Sequence, residues 1–483
     1  MADNKLLAAA KWTSAAAAVR ALMQVLQLVL VARLFPGDDL GALVLLFSII
    51  AVAQLFADVG IANLVMHHQR LTVEELRNIR GMALGMGIIL FVLLLSAAPL
   101  LARFYGDSRL HALVSLSGML FLLNSLWQTK RALLEKSFDF RIVGSGEIIA
   151  SLLSQATMLG GALLSESIFA VLIAPLGYSF IMALWLMFLR PDAEDFRFAL
   201  SGTTLRRFAG YSAHSLGFNL TNSVSIYADI FIGGRYLSAA ALGGHGIAKD
   251  LSLKIGWAIN PIVTRIATPQ LAKLQAERER LRTVYLQVMR ITTALNFPVF
   301  TSLVVFSESY TQLVFGNALT PYQPSFILLG MWGLLRSVGN PSGSLMFALG
   351  KTRLAFYFSL GSMLLFSASA AIGARFGVVC LAFAMLISMA VQQIFAIWFF
   401  ILKPLTGMTY QAYIRSLLPA ASAAAMAFGG MAILLNLTGA ASSLSWTTLL
   451  TTQVLAAVIY LGLLATLDSD LAQQTKRMFR KVP

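Results

Sequence analysis

Residues 33–41 read RLFPGDDLG and residues 235–243 read RYLSAAALG. Arg, an aromatic or leucine pair, four variable residues and a final Leu-Gly recur at identical spacing, 202 residues apart. Each copy follows a helical stretch carrying a polar stripe and precedes another apolar stretch. It therefore sits where a membrane helix emerges and turns back. An echo at this distance predicts two similar halves, the arrangement of a transporter built from repeats with a site between them.

Composition agrees with that setting. The chain has 483 residues, 58% hydrophobic and only 12% charged, against about 25% charged in soluble domains. Its mean hydropathy is +0.77. Apolar runs of about 20 residues, enough to cross a ~30 Å hydrocarbon core, recur from residue 12 to residue 467. The expected fold class is an all-α polytopic membrane protein with about 14 transmembrane helices. A β-barrel would show short alternating segments instead. Spans one to six (residues 1–200) form one lobe and spans seven to twelve (201–403) a parallel second lobe. Residues 404–483 hold two further helices and a basic tail.

The formal net charge is +15. Nucleic acid is excluded as the reason, because the Lys and Arg fall in alternate loops. One set carries Arg70, Arg77, Arg80, Lys130, Arg131, Lys136, Arg141 and their successors; the other holds only Arg33, Arg103, Arg109, Arg235 and Arg375. The bias is about fivefold and places both termini in the cytoplasm. The inner loop at residues 269–283 mixes charged and apolar residues and reads as a surface helix on lipid headgroups. Cys380 is the single cysteine, which excludes an intramolecular disulfide or a cysteine-based metal cluster. The first apolar stretch reads as an uncleaved helix: it is long, carries Arg20 and leads into further spans. No metal site, cofactor or catalytic constellation is expected.

Charged groups inside a bilayer cost about 2.5–3.5 kcal/mol each and usually face a bundle interior or a wet cavity. Several fall on single helical faces here. Arg20, Gln24 and Gln27 stand at i, i+4, i+7, and Ser215, Asn219, Asn222, Ile226 and Asp229 keep the same alternation of four and three along span seven. Gln54 and Asp58 share a face of span two; Asp250, Lys254, Pro261 and Arg265 share one on span eight; Arg336 and Asn340 share one on span ten. At 100° per residue these sets lie within about 60°. The 202-residue offset maps Arg20 onto Asn222, Gln27 onto Asp229 and Asp58 onto Asn260. If the halves face each other, the stripes line one central cavity. Arg20, Lys249, Lys254, Arg265, Arg290 and Arg336 are its candidate cations, suited to an anion and, through arginine's fork, to phosphate. The same spacing also fits paired packing charges, Asp250 with Lys254 for example. Asp58, Asp229 and Asp250 are candidates for coupling to a proton or Na⁺ gradient, with a static ion pair as the other reading. Glu147 reads as interfacial. Gly81–Gly87 reads as close helix packing, and Pro261, Pro298 and Pro341 as kinks within spans.

With residues 30–41 (LVARLFPGDDLG), 56–63 (FADVGIAN), 229–243 (DIFIGGRYLSAAALG) and 335–350 (LRSVGNPSGSLMFALG), the chain resembles the polysaccharide-exporter branch of the multidrug/oligosaccharidyl-lipid/polysaccharide flippase superfamily, with the Wzx-type lipopolysaccharide exporters nearest. The resemblance implies two six-helix lobes plus two helices in the bacterial inner membrane. It implies translocation of an undecaprenyl-pyrophosphate-linked oligosaccharide from inner to outer leaflet by alternating access, beside the polysaccharide polymerase machinery. It also implies that Arg20 and the basic residues of spans eight and ten hold the diphosphate. Asp58, Asp229 and Asp250 depart from a fully basic lumen. A monomer is expected. The alternative is an ion-coupled small-molecule antiporter on the same architecture, whose cationic substrates would want acidic walls. An enzyme would need a larger outer loop than this chain has.

Overall fold

The computed structural model describes residues 2–57, 65, 71–189, 197–199, 202–438 and 445–468, with the backbone alone at 2–10 and 202–216. These residues are helical almost throughout. In chain order the long helices are α1 (Ala2–Leu34), α2 (Gly37–Ala57), α3 (Val73–Tyr105), α4 (Arg109–Lys136), α5 (Phe140–Ser165), α6 (Ala170–Leu189) and α7 (Gly202–Tyr236). They continue as α8 (Ala239–Lys273), α9 (Arg278–Val305), α10 (Gln323–Ala348), α11 (Thr352–Phe376), α12 (Val378–Thr406), α13 (Tyr410–Leu437) and α14 (Trp446–Leu467). Among the described residues, eleven helices are long and apolar enough to cross a membrane. Helices α7, α8 and α10 fall outside that set, although they run for 35, 35 and 26 residues. At 1.5 Å per residue each exceeds the hydrocarbon thickness. The chain is an all-α, multi-pass membrane protein.

Local chemistry fixes the helix ends. Thr72 and Glu75 form a reciprocal capping box at the start of α3: Glu75 N–H donates to Thr72 Oγ1 at 3.2 Å, and Thr72 N–H to Glu75 Oε2 at 2.9 Å. Together these satisfy two of the end's orphan donors. Gly106, at φ 72°, ends the same helix in the left-handed region where a Cβ would be strained. Thr409 and Ser445 cap α13 and α14 through the amides of Ala412 and Thr448. No separate surface helix occupies residues 269–283. Instead α8 runs on to Lys273 and α9 begins at Arg278, because helical geometry already satisfies this backbone on both sides of a short turn.

The chain divides into two compact units, Met1–Gly243 and Gly244–Pro483. In the first, α5 packs against α1 and α6, α4 against α3 and α6, and α7 against α2 and α3. Trp127, Val143, Ala150, Met182 and Leu186 make one buried apolar cluster across α4, α5 and α6. Small residues let the backbones approach. A Cβ at Gly144 would lie 3.0 Å from the Trp12 carbonyl oxygen, and one at Gly87 would lie 2.8 Å from that of Phe121. In the second unit, α9 packs against α10 and α13, and α12 against α10 and α11. Helix α14 is tied to α9 by polar contacts: Tyr460 donates to the Ala294 carbonyl at 2.8 Å, and Ser302 to Gln453 Oε1 at 2.6 Å. The outward faces are apolar, as with Ile88, Ile89 and Val92 on α3 and Leu450, Val454 and Leu461 on α14. This inside-out exposure suits lipid and not water.

The two copies of the echo meet. A Cβ on Gly41 would lie 2.3 Å from the Ala239 carbonyl oxygen, and one on Gly243 would lie 2.5 Å from Leu40 Cβ. Both motifs end in Leu-Gly because each glycine leaves room for the other copy's chain. Beside this contact, Arg109 at the start of α4 ties the first copy in place. Its guanidinium pairs with Asp39, donates to the Asp38 carbonyl at 3.2 Å, and meets Asp107 Oδ2 at 2.7 Å.

Two predictions follow from this packing. Gly41→Val has to displace the Ala239 backbone and should destabilise the protein by about 1–3 kcal/mol, the usual cost of overpacking. Gly85→Val, with nothing within 4 Å of its Cβ, carries the same helix-propensity cost and serves as the control in thermal unfolding of detergent-purified protein. The Arg109 hydrogen bond holds the Asp107 carboxyl below its ordinary value of 3.8. Its stabilisation is therefore complete above that value and is lost as pH falls through the lower folded-state value. Unfolding temperature should drop across that acidic window in the wild type, and less in Asp107→Asn.

Candidate substrate cavity

A cavity of about 760 Å³ lies inside the first unit, between α1, α2, α4, α5 and α6. Its size falls within the range of about 300–1,000 Å³ usual for small-molecule sites. From α1 the stripe Arg20, Gln24 and Gln27 faces it, and from α2 Gln54 does. Helix α4 presents Asn124, Gln128, Arg131 and Glu135, with Trp127 beside them. The spacing i, i+4, i+7, i+11 puts those four on one side of the helix. Helix α5 adds Ser151, Ser154 and Gln155, and α6 adds Tyr178 and Ser179.

One carboxylate organises the charged end. Glu147 of α5 is 4% exposed. Its Oε1 lies 2.8 Å from Arg131 Nη2 and 3.4 Å from Arg20 Nη1. Arg131 also donates through Nε to Glu135 Oε1 at 2.8 Å, one turn along α4. Two guanidiniums and two carboxylates thus join α1, α4 and α5. Burying such charges is tolerable only when each is paired and hydrogen-bonded. Glu147 is consequently a buried structural anion, not the interfacial residue its position near the start of α5 suggested. Farther along, Gln155 Nε2 donates to Gln27 Oε1 at 3.1 Å, and Ser179 donates to Asn124 Oδ1 at 2.7 Å. Trp127 meets Tyr178 edge to face, with ring centroids 6.4 Å apart, and carries the Arg131 guanidinium 5.9 Å from its ring centre.

The other expected residues are distributed differently. On α7, Asn219 is exposed, Asn222 half-buried and Asp229 fully buried, with Asp229 Oδ1 accepting from the Ile230 amide at 3.0 Å. None of the three is among the residues lining the cavity. Asp58 lies outside the described residues. In the second unit, Lys254 Nζ lies 2.7 Å from Asp250 Oδ2, the i, i+4 pair that the spacing allowed. Lys249, 1% exposed, and Arg336, half-buried, both lie over the Trp332 indole, at 5.2 and 5.6 Å from its centre. Asn340 is half-buried one turn beyond Arg336. Asn260 accepts from Asn296 at 3.1 Å. Arg265 is exposed beside the exposed Ile262 and Ile266, on an outward apolar face, and Arg290 reaches Asp468 at 3.5 Å. The structure therefore gathers Arg20, Gln24 and Gln27 with Gln54 in one cavity. It places Lys249 with Arg336, and Lys254 with Asp250, in the other unit.

By position Lys130, Arg131 and Lys136 read as loop charges, which hides the α4 and α5 walls from sequence spacing. The signal was present: Asn124-Gln128-Arg131-Glu135 and Glu147-Ser151-Ser154 are helical polar stripes like that of α1. Glu147→Gln should lower stability by about 2 kcal/mol in detergent unfolding. That is less than the 3–5 kcal/mol cost of breaking a fully buried pair, since both arginines are about a third exposed. Equal stability of Glu147→Gln and wild type would contradict the bridging role.

The profile of a family described as polysaccharide biosynthesis protein matches residues 30–324. The lipopolysaccharide biosynthesis protein WzxC of Escherichia coli (strain K12) is 27% identical over 428 residues, covering 86% of this chain and 84% of that protein. The teichuronic acid biosynthesis protein TuaB of Bacillus subtilis (strain 168) is 27% identical over 368 residues, 76% of each. Among solved structures, the lipid II flippase MurJ in an inward closed conformation superposes with a TM-score of 0.75 at 13% identity, over 95% of this chain and 99% of that one. An inward-facing MATE-family multidrug transporter gives 0.62 at 14% identity, over 84% of this chain and 94% of that one. At these identities the two structures establish the fold that the chain shares with them.

Proposed function

This chain belongs to the polysaccharide biosynthesis protein family, and on that premise we propose that it is a flippase for a lipid-linked oligosaccharide in surface polysaccharide biosynthesis. The observation that carries the reading is a cavity of about 760 Å³, lined mostly by polar residues, among helices with apolar outer faces. A sugar headgroup cannot cross the hydrocarbon core unaided, because each polar group stripped of water without a new partner costs several kcal/mol. Amides, hydroxyls and fixed charges inside a membrane-spanning bundle replace that water, while a polyprenyl tail remains in lipid. The names of similar proteins point the same way: WzxC is a lipopolysaccharide biosynthesis protein and TuaB a teichuronic acid biosynthesis protein.

The finer reading is as follows. The substrate is an undecaprenyl-pyrophosphate-linked repeat unit, moved from the inner to the outer leaflet of the bacterial inner membrane by alternating access. Both termini are cytoplasmic, α7, α8 and α10 supply the spans beyond the eleven, and the protein acts without catalysing a reaction. Of the cations assigned to the diphosphate, Arg20, Lys254 and Arg290 each have a carboxylate neighbour. Lys249, Lys254 and Arg336, basic residues of α8 and α10, are the ones we keep as its ligands. Asp229, fully buried in α7, is the coupling acid. An antiporter of cationic molecules is disfavoured, because the cavity is lined by Arg20 and Arg131 against Glu135 and has no acidic excess.

Deleting the gene should abolish surface polysaccharide and accumulate lipid-linked repeat units in the inner leaflet. Proteoliposomes holding the purified protein should move a fluorescent lipid-linked oligosaccharide between leaflets. Unchanged polysaccharide in the deletion strain, with no leaflet exchange in vitro, would sink the reading.

A further inference from the structure

The geometry points to a division of labour within the substrate, resting on the flippase reading: the cavity of the first unit is a carbohydrate subsite that takes the uncharged, hydroxyl-bearing portion, and the diphosphate binds elsewhere. Charge balance is the first argument. Arg20 and Arg131 are the cations at the cavity's charged end, and Glu147 and Glu135 offset them. Arg131 already uses its Nε and Nη2 on carboxylates. A diphosphate would have to displace Glu147, leaving a 4% exposed carboxylate without its arginines. Stripping a buried carboxylate of its partners in that way is unfavourable.

The second argument is the lining. Gln24, Gln27, Gln54, Asn124, Gln128 and Gln155 surround the cavity. Each primary amide carries both donors and an acceptor. A sugar hydroxyl likewise gives one hydrogen bond and accepts others, so amides satisfy it in either sense. A phosphate accepts only and could not answer an amide oxygen such as Gln155 Oε1. Trp127 and Tyr178 add an aromatic corner against which the apolar C–H face of a ring can rest.

Two groups are left over in a way that only a neutral ligand answers. The Trp127 indole N–H, on a residue 5% exposed, has no hydrogen-bond partner among the described residues. Nor has Gln155 Oε1, whose amide nitrogen is held by Gln27. One is a donor and the other an acceptor, both on residues lining the cavity. Leaving buried groups of this kind unmet is unfavourable. Water can serve them in the resting protein, and sugar hydroxyls replace that water like for like.

The test uses full-length protein in phosphatidylethanolamine/phosphatidylglycerol nanodiscs. Two probes are compared by calorimetry: inorganic pyrophosphate, and the phosphate-free repeat-unit oligosaccharide released by mild acid from the producing cell's own lipid-linked pool. The oligosaccharide should bind, and pyrophosphate should not compete with it. Trp127→Phe keeps a six-membered aromatic ring and removes the indole N–H together with the five-membered ring that bears it. It should weaken oligosaccharide binding about five- to tenfold, as expected for one hydrogen bond, and Gln155→Leu should do likewise. Absence of oligosaccharide binding, competition by pyrophosphate, or wild-type affinity in both variants would overturn the inference. Leaflet exchange of the lipid-linked substrate is measured in parallel. No exchange by the wild type sinks the flippase reading itself, whereas exchange with an unchanged KM in both variants sinks the carbohydrate subsite alone.

Discussion

A single buried carboxylate holds the first unit's polar interior together. Glu147 lies between Arg131 on α4 and Arg20 on α1, and without it two guanidiniums would face each other inside a membrane bundle. With it, three helices gain a common electrostatic anchor at one end of a cavity too polar to collapse. The rest of the lining can then consist of amides and hydroxyls that are solvated or ligand-bound, not packed. A core of leucine would be more stable. The charged one keeps open a space in which polar cargo can exchange water for protein.

A second constraint acts at the turns, through shape and not charge. Gly41 and Gly243 let the two echo motifs touch backbone to backbone, and Arg109 fastens the neighbouring turn through Asp39 and Asp107. Within the first unit, α7 is held against α2 in this way. The similarity between the two stretches is thus more than a trace of repetition: each supplies the gap that the other fills.

The helical, membrane-spanning architecture was legible from composition and run length, and the α1 stripe Arg20-Gln24-Gln27 lines a cavity within the first unit. The same periodicity was equally strong in α4 and α5 but was masked by position. Arg131 and Glu135 stand near a helix end, where charges ordinarily mark a loop, and Glu147 stands near a helix start. Sequence spacing also could not choose partners. Asp250–Lys254 was foreseeable because both sit on one helix. The pairs Arg20–Glu147 and Arg290–Asp468 join residues 127 and 178 positions apart, and only tertiary packing reveals them. Arg265 shares its helical face with Lys254 by spacing, yet its surroundings are the outward isoleucines.

A flippase of this design needs the cavity of the first unit to be wet and open to a polar ligand. Site-directed thiol labelling tests this most directly. With Cys380 replaced, a single cysteine at Ser151 should react with a charged, membrane-impermeant maleimide in membrane vesicles, and added lipid-linked oligosaccharide should slow the reaction. A cysteine there that stays unreactive in both vesicle orientations, or reacts at the same rate with and without the oligosaccharide, would contradict it.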